Sequence, residues 1–256
     1  MQVNSLFKNH SFSPESEQFF ELDGFRIGIK RETEGWYVLP VDDATNIKSA
    51  KETPAITEGE YFHSGKSNSM ILSPATPAKP LVFKGSKLFV TPKQKLTFFV
   101  KIPLNIQLFH SRILPENLLK EISPVRLSDT WFGEPVTGEA AFSLGNEFAL
   151  LPDNLKTSVL QAICPIKIFN NSSGVLEIER LIIRTENLAL YLNADKIYTS
   201  MVEIEYKGKD IISSAEYHYS KVHHGEKADV LVKPRNSGGI LKKNFHFIRN
   251  IYRSEQ

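Results

Sequence analysis

The sequence predicts an all-β fold of two β-sandwich-like domains with one or two short helices. Three observations predict it: apolar residues alternate with polar ones at a period of two over many short stretches, turn-forming Gly, Pro, Asn and Ser interrupt those stretches at close intervals, and long runs of helical spacing are scarce. A chain of 256 residues has room for two domains. The turn-rich passage at 152–156 places their boundary, giving an N-terminal mainly β domain over 1–155 and a C-terminal immunoglobulin-like β-sandwich over 156–256.

The first element is a hairpin. Phe25, Ile27 and Ile29 alternate, residues 31–35 turn, and Trp36 and Val38 run back. Gly28 removes a side chain on the other face, which marks a bulge or a close neighbour. Residues 42–80 read as loop-rich with edge strands, and "SPATPAKP" at 73–80 is excluded from a central strand because each proline removes a ladder donor.

A second hairpin is expected at "PLVFKGSKLFV". Gly85-Ser86 suits a two-residue type II′ turn, which sets Lys84 opposite Lys87, Phe83 opposite Leu88, Val82 opposite Phe89 and Leu81 opposite Val90. Leu81, Phe83, Leu88 and Val90 then form one apolar face, and Lys84 and Lys87 point outward. A third strand over 95–102 alternates again. Short helices are expected at 114–123, with Pro115 in the first helical position, and at 152–162. Beyond 155, a hairpin around "NNSSG" and further strands near 188–192, 197–206, 211–219 and 229–233 give the closely spaced short strands of an immunoglobulin-like domain.

Composition narrows the function classes. With 31 basic and 29 acidic residues and a net charge of +2, no global electrostatic partner is implied. The one cysteine, Cys164, has no intramolecular disulfide partner and reads as a buried, small apolar residue at the start of a strand. The N-terminal stretch lacks the basic and apolar regions of a secretory signal, so a cytoplasmic location is expected. No apolar run approaches the ~20 residues of a transmembrane segment.

The strong catalytic motifs are absent. Gly65-Lys66-Ser67 matches the tail of a phosphate-binding loop, but Glu60 stands where that motif needs glycine, and prolines follow where a helix should begin. The function expected is therefore a non-enzymatic binding or interaction module, with no cofactor. The alternative is an enzyme, hydrolase-like or metal-dependent, at one of two places. In "SDTWFGEPVTGEAAF", Asp129, Glu134 and Glu139 surround Trp131, and carboxylates with separated pKa values can do acid and base work. In "EYHYSKVHHGEKADV", Glu216 and His218 share a strand face, and His223 or His224 can return across Gly225 to complete a zinc or iron set. The competing reading of the histidines is a solvent-facing hairpin end.

Charge is uneven along the chain. Residues 61–115 contain no acidic residue but eight basic ones. Lys84, Lys87, Phe89, Lys95, Phe99 and Lys101 are expected on one sheet face, suited to an anionic protein or surface; single-stranded nucleic acid uses the same mixture of ammoniums and rings and is the lesser alternative. Homo-oligomerisation stays open. In the basic C-terminal segment, Leu241, Phe245, Ile248 and Tyr252 fit one helical face opposite Lys242, Lys243, Arg249 and Arg253, whereas Phe245, Phe247 and Ile251 fit a strand.

"PLVFKGSKLFVTPKQKLTFFVKIPLNIQLF" followed by "SDTWFGEPVTGEAAF" resembles an uncharacterised archaeal and bacterial family, number four hundred and thirty-two of the domain-of-unknown-function series. The likeness rests on the proline-led hairpin, the alternating strand and the later aromatic-Gly-x-Pro-x-x-Gly turn. It implies an all-β fold and no known activity.

Overall fold

The computed structural model describes residues 2–42, 54–145, 147–208, 214–236 and 248. Along the chain come α1 (Val3–Leu6), β1 (Asn9–Ser11), β2 (Glu17–Leu22), β3 (Phe25–Arg31), β4 (Gly35–Asp42), β5 (Glu60–His63) and β6 (Ser69–Ala75). Then follow β7 (Leu81–Val90), β8 (Lys95–Pro103), β9 (Asn105–His110), β10 (Leu118–Ile122), β11 (Asp129–Phe132), β12 (Glu139–Leu144) and β13 (Phe148–Ala149). The last are β14 (Gln161–Asn170), β15 (Leu176–Ile183), β16 (Leu190–Asn193), β17 (Lys196–Thr199), β18 (Met201–Tyr206), β19 (Ser214–His218), α2 (Lys221–His224) and β20 (Asp229–Val232). The fold is all-β.

The chain forms two compact units: residues 1–75, 104–125 and 158–160, and residues 76–103, 126–157 and 161–256. The boundary expected at 155 is not where the units part. β14 lies beyond it, yet pairs along its length with β8, setting Cys164 beside Val100 and Ile168 beside Leu96. Hydrogen-bonded partners in a ladder cannot be divided between domains, so segments on both sides of 155 build the second unit together.

The first unit holds two four-stranded sheets, ordered β1-β6-β9-β10 and β2-β3-β4-β5. The opening hairpin forms as expected, with Ile29 paired to Val38 and both buried. Gly28 marks a close neighbour rather than a bulge: a Cβ there would lie 2.9 Å from the side chains of Ile56 and Phe19. β6 is an inner strand despite Pro74, contrary to expectation. β1 pairs only with Ser69, Met70 and Ile71, so the missing donor of Pro74 lies past the end of β1, while the strand's other edge pairs Pro74 with Ile106. The helix expected at 114–123 is a single 3₁₀ turn, Pro115–Asn117, that passes into β10. There Ile122 pairs with Ile106 and is buried, so ladder pairing prevails over local helical propensity. The helix expected at 152–162 likewise shrinks to the turn Pro152–Asn154.

The second unit holds a four-stranded sheet, β11-β12-β7-β15, and an eight-stranded sheet that runs β13-β8-β14-β17-β16-β20, with β18 pairing β14 and β19 pairing β18. One core lies between them, where Leu81, Phe83, Ile178 and Leu181 of the smaller sheet meet Phe98, Val100, Cys164 and Ile166 of the larger. Parallel pairs (β12 with β7, and β14 with both β17 and β18) set these sheets apart from the antiparallel immunoglobulin pattern.

Two expected hairpins are absent. β7 is one strand through Gly85-Ser86, antiparallel to β15, with Leu88 beside Ile178 and Lys84 beside Arg180. Between those pairs β7 advances four residues and β15 two, a bulge that inverts the alternation. Phe83 and Leu88, five apart, therefore both pack on the core, as an expected turn would also have placed them. A Cβ at position 85 would lie 2.4 Å from the Phe83 ring, so glycine is what lets that ring fold over the bulge. Around "NNSSG", β14 and β15 belong to different sheets, and the loop is an arch between layers.

Of the C-terminal segment, Ile248 forms an antiparallel bridge with Leu181 at the edge of β15. The helix or strand expected over 241–252 otherwise lies outside the described residues.

Candidate functional site

Because Phe98, Val100 and Ile102 of β8 face the core, Lys95, Thr97, Phe99 and Lys101 point to the outward face of the eight-stranded sheet. Three rows cross that face: Thr97, Lys167, Glu203 and Glu216; Lys95, Phe169, Glu205 and Ser214; and Lys101, Ile163, Tyr198, Tyr191 and Val230. The fold thus brings Lys95, Phe99 and Lys101 onto the face that also carries Glu216 and His218. It does not join them to Lys84, Lys87 and Phe89. Those three lie on β7, in the opposite sheet, because Gly85-Ser86 bulges rather than turns and β7 never pairs with β8. The six residues expected on one basic aromatic face occupy two.

Carboxylates from the same chain meet most of these lysines. Lys101 pairs with Glu147 at 2.6 Å, Lys167 with Glu203 at 2.7 Å and Lys196 with Asp153 at 3.2 Å. Lys95 instead lies 5.2 Å over the Phe169 ring. On the other sheet, Lys87 sits between Glu177 at 2.6 Å and Glu179 at 3.1 Å, and their hydrogen bonds hold its ammonium pKa above the ordinary lysine value. Lys84 and Phe89 are both exposed. Of the lysines in 61–115, Lys87 and Lys101 are thus met by glutamates that lie far away in sequence.

Phe99 is covered by its own unit. It packs with Ala149, Leu155, Ile163 and Tyr198 in a small cluster outside the main core, and the His223 ring stands edge-on to it at 5.2 Å. Around this cluster the surface is apolar. Leu150 and Leu151, in the loop between Ala149 and Leu155, are 59% and 62% exposed, and Val222, next to His223, is 86% exposed. Sequence reasoning missed these three. The available signal was two adjacent leucines directly before Pro152, where alternation has stopped.

The histidine stretch forms neither a metal set nor a hairpin end. After β19 comes the four-residue helix α2, closed by Gly225 at φ 86°. His224 is fully buried among Tyr191, Tyr198 and Tyr219, with ring centroids 4.9–6.0 Å away. Its Nδ1 accepts the Ser220 backbone N–H at 2.8 Å, and its Nε2–H donates to the Thr199 carbonyl at 2.8 Å. Both nitrogens are thereby committed in one neutral tautomer, leaving no lone pair for a metal. Burial pushes the His224 pKa below the usual histidine value, reinforced by His223 and His218. Burial, then Lys167, lowers His223 in the same direction. His218 Nε2 lies 3.8 Å from Glu203, and Glu216 is exposed opposite Glu203. Among the described residues, no group of three or more His, Cys, Asp or Glu side chains is placed to hold a metal ion.

The carboxylates of 129–139 are drawn apart. Asp129 pairs with Lys79 at 2.6 Å and Glu139 with the buried Arg184. Glu134 contributes its carbonyl to the Trp131 indole N–H at 2.9 Å. Asp129 and Glu139 are thus held by different cations. No helix among the described residues is long and apolar enough to cross a membrane.

No curated protein and no solved structure matches the chain. The family model described as protein of unknown function DUF432 matches residues 6–249, and the chain belongs to that family.

Proposed function

We propose that this protein is a non-enzymatic interaction module whose docking face is the outward side of the eight-stranded sheet around Phe99. The supporting observation is the pair Leu150 and Leu151, each more than half exposed beside an already apolar cluster. Exposed neighbouring aliphatic residues on a folded surface mark a partner site more often than scattered single ones do. Lys101, Lys167 and Lys196 of this face are met by Glu147, Glu203 and Asp153, and Lys95 lies over the Phe169 ring, so little of its positive charge is left unengaged. The partner that fits is an apolar segment of a protein; a polyanion would have to displace three internal ion pairs.

A photo-crosslinking residue at position 150, with a second at Lys84 as control, tests this in cells of the source organism. Discrete protein adducts at 150 that vanish in a Leu151→Glu background are expected. Adducts only at Lys84, or adducts to nucleic acid, would favour the anionic-partner reading instead.

A further inference from the structure

The short helix α2 lies over this docking face, its His223 ring against Phe99, and His224 anchors it. His224 closes the helix on itself and ties it to the sheet: Nδ1 receives the N–H of the N-cap Ser220, and Nε2–H reaches the Thr199 carbonyl at the end of β17. Tyr219 adds a second tie after the helix, donating to the Gly225 carbonyl at 2.8 Å and accepting the Ala228 N–H at 2.9 Å. Within α2, Val222 is mostly exposed, and His223 makes the contact with Phe99.

We propose that protonation of His224 releases α2 and uncovers Phe99 and Tyr198, so that acid widens the docking face while the rest of the unit stays folded. A second proton would have to sit on Nδ1, the atom that accepts the Ser220 N–H. Two donors would then point at each other, in a site with no exposure to water. Burial outweighs the one group that favours a charge, the Thr199 carbonyl on Nε2–H. Tyr191 of β16, Tyr198 of β17 and Tyr219 face it with aromatic carbon. Lys221 of its own helix is paired with Glu226 at 3.1 Å, and Lys167 of β14 with Glu203 at 2.7 Å. His223 and His218 are further cations once protonated. Glu203 and Glu226 already serve other cations, and neither is hydrogen-bonded to His224. The lowered pKa agrees with this geometry.

This inference rests on the docking reading above, but its test does not. Amide exchange of the full chain is followed at pH 7.5 and 5.5, each rate divided by the intrinsic rate at that pH. Protection across 221–225 should fall severalfold, toward a limit of about tenfold set by the one unit between the ordinary histidine value of 6.5 and pH 5.5, while β14 amides keep theirs. His224→Gln carries an amide oxygen and N–H able to make the same two bonds without titrating, and its protection should be flat over that range. Equal loss in His224→Gln, unchanged protection in the wild type, or simultaneous loss across β14 would each overturn the proposal. Should the variant fail to fold, ring NMR of wild-type His224 decides instead: release requires it to titrate together with the loss of the 221–225 signals, and titration without that loss sinks it. Crosslinking at position 150 at neutral pH reports on docking alone, so the two readings fail separately.

Discussion

The Arg31 guanidinium lies 5.0 Å over the Trp36 ring, and both side chains are almost wholly buried. Its hydrogen-bond partners are all neutral: Asn68 Oδ1 at 3.2 Å and the carbonyls of Gly35 at 2.7 Å, Gly65 at 3.1 Å, Thr33 at 3.2 Å and Glu32. A buried cation is costly unless its donors are satisfied. Here the planar fork spreads its donors over the β3–β4 turn and the loop at Gly65, stitching the two together.

Lysine at position 31 keeps the charge and loses the fork. Its compact ammonium can reach one or two of these acceptors and leaves the others unpaired. Arg31→Lys should lower stability by about 2–4 kcal/mol, the range for a few lost bonds to a charged group. Urea unfolding gives the check, and a midpoint equal to wild type would show the turn to be held by something else.

Much of this fold is legible in the sequence, and the remainder is hidden for identifiable reasons. Period-two patterns locate β3, β4, β8 and the apolar set Leu81, Phe83, Leu88 and Val90, because side-chain direction alternates with the backbone whatever the partner strand. Partner choice is a different matter. A type II′ turn and a bulge at Gly85-Ser86 both invert the alternation, so the pattern could not say that β7 continues rather than reverses. That ambiguity divided one imagined basic face between two sheets. The neutralising glutamates 147, 177 and 203 were equally invisible, since each reaches its lysine through pairing remote in sequence. His224 was hidden too: the sequence offered a metal ligand or a solvent-facing hairpin end, and its burial at the end of α2 depends on Tyr191 of β16 and Tyr198 of β17.

The turn at 132–138 depends on two glycines for different reasons. Gly133 has φ 117°, a conformation that side chains strain to adopt, and a Cβ at Gly138 would lie 2.3 Å from Trp131 Nε1 and 2.7 Å from the carbonyls of Glu134 and Phe132. Gly138→Ala must push the indole off its site or open the turn, at a cost of about 1–3 kcal/mol, the usual range for overpacking. Trp131 emission should shift to the red as its N–H leaves the Glu134 carbonyl. Gly145→Ala, where a Cβ meets nothing within 4 Å, should change neither quantity. An unshifted spectrum in Gly138→Ala would mean that the indole is not held by this turn.

Cys164 is fully buried in β14, and burial pushes its thiol pKa up to about 12, against a weaker opposing bond from Thr199. The thiolate is the reactive form, so the native protein should resist a thiol reagent at pH 8 and react fully in denaturant. The native rate should follow the opening of β14. Fast labelling at neutral pH without denaturant would contradict the burial.

Acid sensitivity should come first from histidines. His10 is buried against the Phe20 ring, centroids 4.8 Å apart, with its Nε2 2.9 Å from the Leu6 carbonyl, and burial lowers its pKa despite that bond. His224 is lowered likewise. A histidine with a depressed folded pKa binds its proton less readily in the native state than in the unfolded chain. The stability it contributes is therefore fully present above the unfolded value of 6.5 and is lost as pH falls from there toward the folded value. Each unit of depression corresponds to about 1.4 kcal/mol. The denaturation midpoint should be level above pH 7 and decline between 6.5 and 5, before carboxylate protonation sets in. Glu205, whose pKa is lowered chiefly by the Asn171 amide, extends the loss only below the carboxylate value of 4.5. His10→Gln and His224→Gln should each remove part of the decline between 6.5 and 5, and the double variant should remove most of it. A midpoint that is level down to pH 5 in the wild type, or a decline that persists undiminished in the double variant, would show that these two buried rings do not set the acid limit.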